Sequence, residues 1–266
     1  MLEFCDTHAH LDFDTFDEDR GAVIERARTN SLQFIINIAI DLESSHKSLA
    51  LARQYPGFIF STIGIHPNYT QDADETTFTE IEHLALHKDV VAIGEIGLDY
   101  YRDYATPLQQ TSALEVQLDL AQRLELPIVI HERDSAQDLV PILTNWHQNL
   151  PANSRLKLNP GVMHAFSADQ KYVEALLDCG FCFGIGGPLT YKNASDKRDL
   201  VSSLPLERML LETDCPFMPP QAHRGQRNEP SFIPLIAQKI AEIRGLTVEE
   251  IGGQLTKNAR RLFHIN

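Results

Sequence analysis

The chain has 266 residues, of which 43% are hydrophobic and 23% charged, a size and balance that suit one (β/α)8 barrel of about 250 residues. No apolar run approaches the roughly 20 residues a membrane helix needs, so no membrane insertion is expected. The formal charge of −14 argues against a protein that grips nucleic acid with a broad basic face, but leaves room for a small metal-lined nucleotide site.

Met1 to Asp6 lack the basic start and apolar stretch of a signal peptide, so a cytoplasmic location is expected. The four cysteines, Cys5, Cys179, Cys182 and Cys215, do not form a disulfide framework and should persist as thiols in a reducing compartment. Cys179 and Cys182 make a Cys-x-x-Cys. The second lies in an apolar strand and not at a helix N-terminus that would lower its pKa, which argues against a redox role.

Along the chain, short apolar runs alternate with helical-period segments, the pattern of a parallel sheet with crossover helices. A strand at Phe4–Thr7 precedes a helix over about 17–29, and Phe34–Ile38 precedes 43–54. Ile59–Gly64 is followed by 76–87, Val90–Glu95 by 108–124, and Ile128–His131 by 136–148. Gly161–Ala165 leads to 169–178, Phe181–Ile185 to 196–203, and Met209–Glu212 to 232–244. Ser167 with Gln170 resembles a capping box, and Gly180 stands where a helix-ending glycine belongs. A ninth helix over about 247–262, starting after Thr247, is expected to pack outside the barrel. No Pro-, Gly- or Ser-rich linker divides the chain, so residues 1–266 read as a single barrel domain.

Residues with metal-ligand chemistry recur at or just past the strand ends. His8 and His10 close the first strand and, being i and i+2, can reach one ion from the same side. Glu95, His131, His164 and Asp214 end four further strands, and one mouth of a (β/α)8 barrel is where such ends converge. An acid with an apolar strand behind it is costly to bury without a metal or a paired charge. Four histidines and two carboxylates exceed one tetrahedral shell and suit two divalent ions sharing a bridge, for which Glu95 is the candidate. Asp214 is placed to orient a water and receive its proton, and Glu212 can support the ligands from behind. The chain therefore reads as a metal-dependent hydrolase.

The ordered motifs Asp6-Thr7-His8-Ala9-His10-Leu11, Gly64-Ile65-His66-Pro67, Gly94-Glu95-Ile96-Gly97-Leu98-Asp99-Tyr100, Ile130-His131-Glu132-Arg133-Asp134, His164-Ala165-Phe166 and Leu211-Glu212-Thr213-Asp214 together resemble the TatD-related metal-dependent deoxyribonucleases. The resemblance runs the whole length, closing with Asn258 to Phe263. It implies a (β/α)8 TIM barrel of metal-dependent amidohydrolase type that hydrolyses DNA phosphodiesters with divalent metals. By it, His8, His10, Glu95 and Asp214 would hold one ion, and Glu95, His131 and His164 the other. Ala165 stands where many members have Cys, and Cys215 where Ser or Ala is usual.

For the substrate, Arg133 can offer a fork to phosphate and His66 a hydrogen bond. Tyr100 and Tyr101 can stack on a base, and Arg227 lies in a loop after Asp214 that can hold a strand end. Few arginines at a concave mouth suit single strands or strand ends better than duplex. Gly184-Ile185-Gly186-Gly187 lacks the following helix of a pyrophosphate fingerprint, so no nucleotide cofactor is expected; these glycines instead allow a tight path near the site. The donor set suits zinc, manganese or nickel, and magnesium if carboxylates and water dominate. The alternative activity is a metal-dependent amidohydrolase or lactonase acting on a small carbonyl substrate.

Overall fold

A computed structural model describes residues 2–165 and 170–265. The eight strands are β1 Phe4–Ala9, β2 Leu32–Asn37, β3 Ile59–Ile63, β4 Val90–Asp99, β5 Ile128–Arg133, β6 Gly161–Met163, β7 Cys182–Ile185 and β8 Met209–Leu211. They are parallel and neighbour one another in chain order. The barrel is nearly closed: Asp214 N–H donates to the His8 carbonyl at 2.8 Å and His10 N–H to the Cys215 carbonyl at 2.9 Å, tying the end of β1 to the segment after β8.

The crossover helices are α1 Arg20–Thr29, α2 Leu42–Gln54, α3 Glu75–Ala85, α4 Pro107–Leu124, α5 Ala136–Asn149, α6 Gln170–Asp178, α7 Ser195–Ser203 and α8 Ile233–Arg244. Capping residues start α2, α3 and α4: Asp41, Asp74 and Thr106 each accept from a first-turn N–H, satisfying groups that have no partner within the helix. The capping box expected at Ser167 lies outside the described residues. Gly180 has φ 87° just past α6, the left-handed turn that a glycine supplies at least cost. Among the described residues, no helix is long and apolar enough to cross a membrane.

Two apolar clusters divide the strand residues by side. One joins Ile35, Ile59, Ile93, Ile128, Met163 and Phe183 to the helices. The other gathers Cys5, Phe34, Ile36, Val129, Val162, Cys182 and Leu210 from the strands. It takes Ala259, Leu262 and Phe263 from a ninth helix, α9 Val248–Phe263. That helix, expected on the outside, spans the N-terminal end of the barrel: Asn258 donates to the Met209 carbonyl, and Gly252 lets the helix backbone approach Phe4. The end opposite the ligand candidates is thereby closed with apolar side chains.

The strand boundaries differ from expectation chiefly at β4 and β5. Their ladder continues past Glu95 and His131 to Leu98 opposite Glu132 and Asp99 opposite Arg133. Glu95 and His131 therefore sit within strands, on a backbone held from both sides. His164 and Asp214 lie just past β6 and β8.

Candidate metal centre

All six expected ligands meet at the C-terminal mouth. His8 and His10 bring their Nε2 atoms to 3.2 Å of each other, and both face Asp214 Oδ1, at 3.7 and 3.5 Å. Glu95 Oε2 is 3.4 Å from His8 Nε2 and 3.9 Å from His10 Nε2, while its Oε1 is 2.9 Å from His131 Nδ1. His164 stacks on His8, ring centres 3.6 Å apart, with Nε2 3.9 Å from Asp214 Oδ2. Two groups with metal-ligand spacing, His8–His10–Glu95 and Glu95–His131–His164, share Glu95.

The local hydrogen bonds suit metal binding. His10 Nδ1 lies 2.9 Å from the Ile38 carbonyl, which can only accept, so the proton is on Nδ1 and the Nε2 lone pair points into the mouth. Glu212 stands behind His164, its Oε1 3.2 Å from Nδ1 and accepting from Ala165 N–H at 2.9 Å. Gly184 makes this possible, because a Cβ there would fall on the Glu212 carboxylate. Asp6 accepts from Thr213 N–H at 2.9 Å and His8 N–H at 3.2 Å, so one buried carboxylate fixes both ligand-bearing segments. Asp214 has φ 57°, a left-handed conformation that costs a non-glycine residue roughly 1–2 kcal/mol.

Burial and charge set unusual proton affinities. Burial disfavours the charged forms of His131 and His164, yet neighbouring acids overcome it. Asp99 and Glu95 raise His131 to about 9, and Glu212 and Asp214 raise His164 to about 10. Burial also opposes ionisation of Glu95, but the surrounding histidines hold it well below the usual carboxylate range, and Asp214 is lowered in the same way. His66 goes the other way: burial and His131 push it to about 3, leaving it neutral.

The expected substrate contacts divide. His66 is at the site, Nε2 3.9 Å from Glu95 Oε1, and forms a further ligand-spaced group with Asp99 and His131. Arg133 reaches the rim with its guanidinium 3.7 Å from the Tyr101 ring centre. Tyr100 instead turns its hydroxyl to Asp138 on α5, at 3.0 Å. Arg227 is a bracket within the fold: both Nη atoms contact Asp19, at 2.8 and 2.7 Å, and one also donates to the Thr15 carbonyl. Nothing in the spacing of Arg227 betrays an acid more than two hundred residues away. Asp99 joins the site without having been expected there. Its Oδ2 is 3.1 Å from His131 Nε2, and its position four residues beyond Glu95 on one strand face was the available signal.

A parallel (β/α)8 barrel with histidines and carboxylates gathered at its C-terminal mouth has the form of a metal-dependent hydrolase. The chain belongs to the TatD family: the profile described as "TatD related DNase" matches residues 5–264. It is 38% identical over 261 residues to the "Uncharacterized metal-dependent hydrolase YabD" of Bacillus subtilis, covering 98% of this chain and 99% of that one. It is 36% identical over 265 residues to the "3'-5' ssDNA/RNA exonuclease TatD" of Erwinia tasmaniensis, covering 98% and 99%. The crystal structure of YjjV, a TatD homolog from Escherichia coli K12, superposes with a TM-score of 0.90 at 33% identity, covering 99% and 98%.

Proposed function

We propose that this protein hydrolyses phosphodiester bonds at exposed single-stranded ends of DNA, using two divalent ions for which Glu95 would be a shared ligand. The observation that carries this reading is the division of the Glu95 carboxylate, with one oxygen toward His8 and His10 and the other toward His131. His8, His10, Glu95 and Asp214 would hold one ion, and Glu95, His131 and His164 the other. The mixed imidazole and carboxylate donors fit zinc, manganese, nickel or magnesium. Divalent ions in such a site supply Lewis-acid activation of water and charge stabilisation of the phosphoryl group.

The side chains do the remaining work. Asp214, kept ionised by its histidine neighbours, orients the attacking water and accepts its proton at a carboxylate oxygen. His66 accepts from Asn68 N–H through Nδ1, which puts its proton on Nε2 facing Glu95, where it can donate to a phosphate oxygen. Arg133, spread over Tyr101 at the rim, offers its fork to a neighbouring phosphate. A relative described as an exonuclease on ssDNA and RNA supports the substrate class. The carbonyl-substrate alternative is weaker, because none of the relatives named above is described as acting on an amide or lactone. The four cysteines are buried thiols, which fits the cytoplasm as the working compartment.

The test is to incubate metal-loaded protein with single-stranded DNA, a generic phosphodiester and a panel of amides and lactones, alongside Glu95→Ala and Asp214→Ala. DNA cleavage that falls about 100-fold or more in both variants is expected. Cleavage unchanged in both, or turnover of an amide in preference to DNA, overturns the proposal.

A further inference from the structure

Beside the candidate metal centre lies an open cleft of about 570 Å³, formed by the segments that follow β1, β2, β3 and β8. Its size falls within the roughly 300–1,000 Å³ of ligand sites. Its walls are aromatic: Phe13, Tyr69 and Phe217. Phe13 stacks against His10 with ring centres 4.8 Å apart, and Phe217 meets Phe13 edge-on at 6.0 Å. Phe217 is 50% exposed and Tyr69 44%, beside a cluster whose His8, His10, Glu95, His164 and Asp214 are buried. Leaving such surface in water forgoes the burial that stabilises other aromatics here, and three rings from three separate segments converge on one space.

The charge of the cleft limits its occupant. Asp12, Asp14, Asp41 and Glu43 line it with a single cation, Lys47, which is already 2.8 Å from Glu43 and 3.6 Å from Asp14. A phosphate is repelled by that edge, whereas a neutral planar ring is not. The cleft adjoins the ligand cluster: its wall residue Phe13 stacks on His10, whose Nε2 faces Asp214 Oδ1 at 3.5 Å.

We propose that this cleft holds the nucleobase next to the cleaved bond, stacked on Phe217 with its edge toward Phe13, while its phosphate stays at the histidine–carboxylate cluster. The inference rests on the nuclease reading above and adds a specificity-determining residue, Phe217, to it. Stacking on an aromatic face accepts every base, so the site recognises that a base is unpaired and not which base it is. Duplex ends are disfavoured because their terminal base must first leave its partner.

The experiment compares matched oligonucleotides that end in an ordinary nucleotide or an abasic one, with wild type, Phe217→Ala and Phe217→Trp, each checked for thermal transition and metal content. Wild type should prefer the intact end by roughly 10- to 100-fold in kcat/KM. Phe217→Ala should bring that ratio toward one, and Phe217→Trp should restore it. Wild type that cleaves both ends equally, or a Phe217→Ala ratio equal to wild type's, overturns the cleft assignment while leaving the nuclease reading intact. Failure of wild type to cleave any nucleic acid overturns the nuclease reading itself.

Discussion

Replacing Glu212 by Gln isolates the support behind one metal-ligand candidate. Glu212 is 1% exposed, belongs to none of the ligand-spaced groups, and stands 3.2 Å from His164 Nδ1. A full charge pair at that spacing is worth about 5 kcal/mol at an effective dielectric of 20, which sets a ceiling. An imidazole that keeps its proton on Nδ1 and offers Nε2 to an ion carries only part of that charge. The glutamine also retains an acceptor for Ala165 N–H. The expected loss is therefore about 1.5–3 kcal/mol, a 10- to 100-fold weakening of metal affinity. The assay is competition against a calibrated chelator near pH 7.5, followed by activity as a function of metal concentration. Saturating metal should recover most of the rate, because the variant leaves the reacting groups in place. Unchanged metal affinity, or a rate loss that excess metal does not repair, would refute the positioning role.

Gly184→Ala pushes a methyl group into the Glu212 carboxylate; we expect about 1–3 kcal/mol lower stability by chemical denaturation, together with weaker metal binding. In metal-free protein, His131 and His164 bind protons more tightly than in the unfolded chain, so their contribution is fully present below about pH 6.5. It is lost as pH rises through about 9 and 10. Denaturation midpoints of chelated protein should fall between pH 7 and 10, and a flat profile would contradict the assignment. For the same reason metal loading near pH 7.5 should release about two protons, measurable by calorimetry in buffers of different ionisation enthalpy. Arg227→Ala removes the clamp on Asp19 and should cost about 0.5–1 kcal/mol of stability while leaving KM for single-stranded DNA unchanged; a raised KM would restore a substrate role.

The expected eight-unit order is the observed one, and the reason is local. Buried parallel strands need continuous apolar runs such as Val90 to Ile93 and Ile128 to Ile130, and those runs are visible without any partner. The same applies to His8, Glu95, His131, His164 and Asp214, since the C-terminal part of every parallel strand in a barrel leads to the same mouth. The extension of β4 to Asp99 was not visible, because it depends on β5 running alongside and pairing with Leu98 and Asp99.

What residue type and spacing determined by themselves was the barrel and the set of groups at its mouth. Tertiary structure decided how those groups are shared. It turned the two oxygens of Glu95 toward different histidines, put Glu212 behind His164 through the gap at Gly184, and paired Arg227 with Asp19. It also laid α9 across the barrel's lower end and brought Phe13, Tyr69 and Phe217 around one cleft. Periodicity reports which face of an element is buried, whereas a contact between residues two hundred positions apart follows only from how the elements pack.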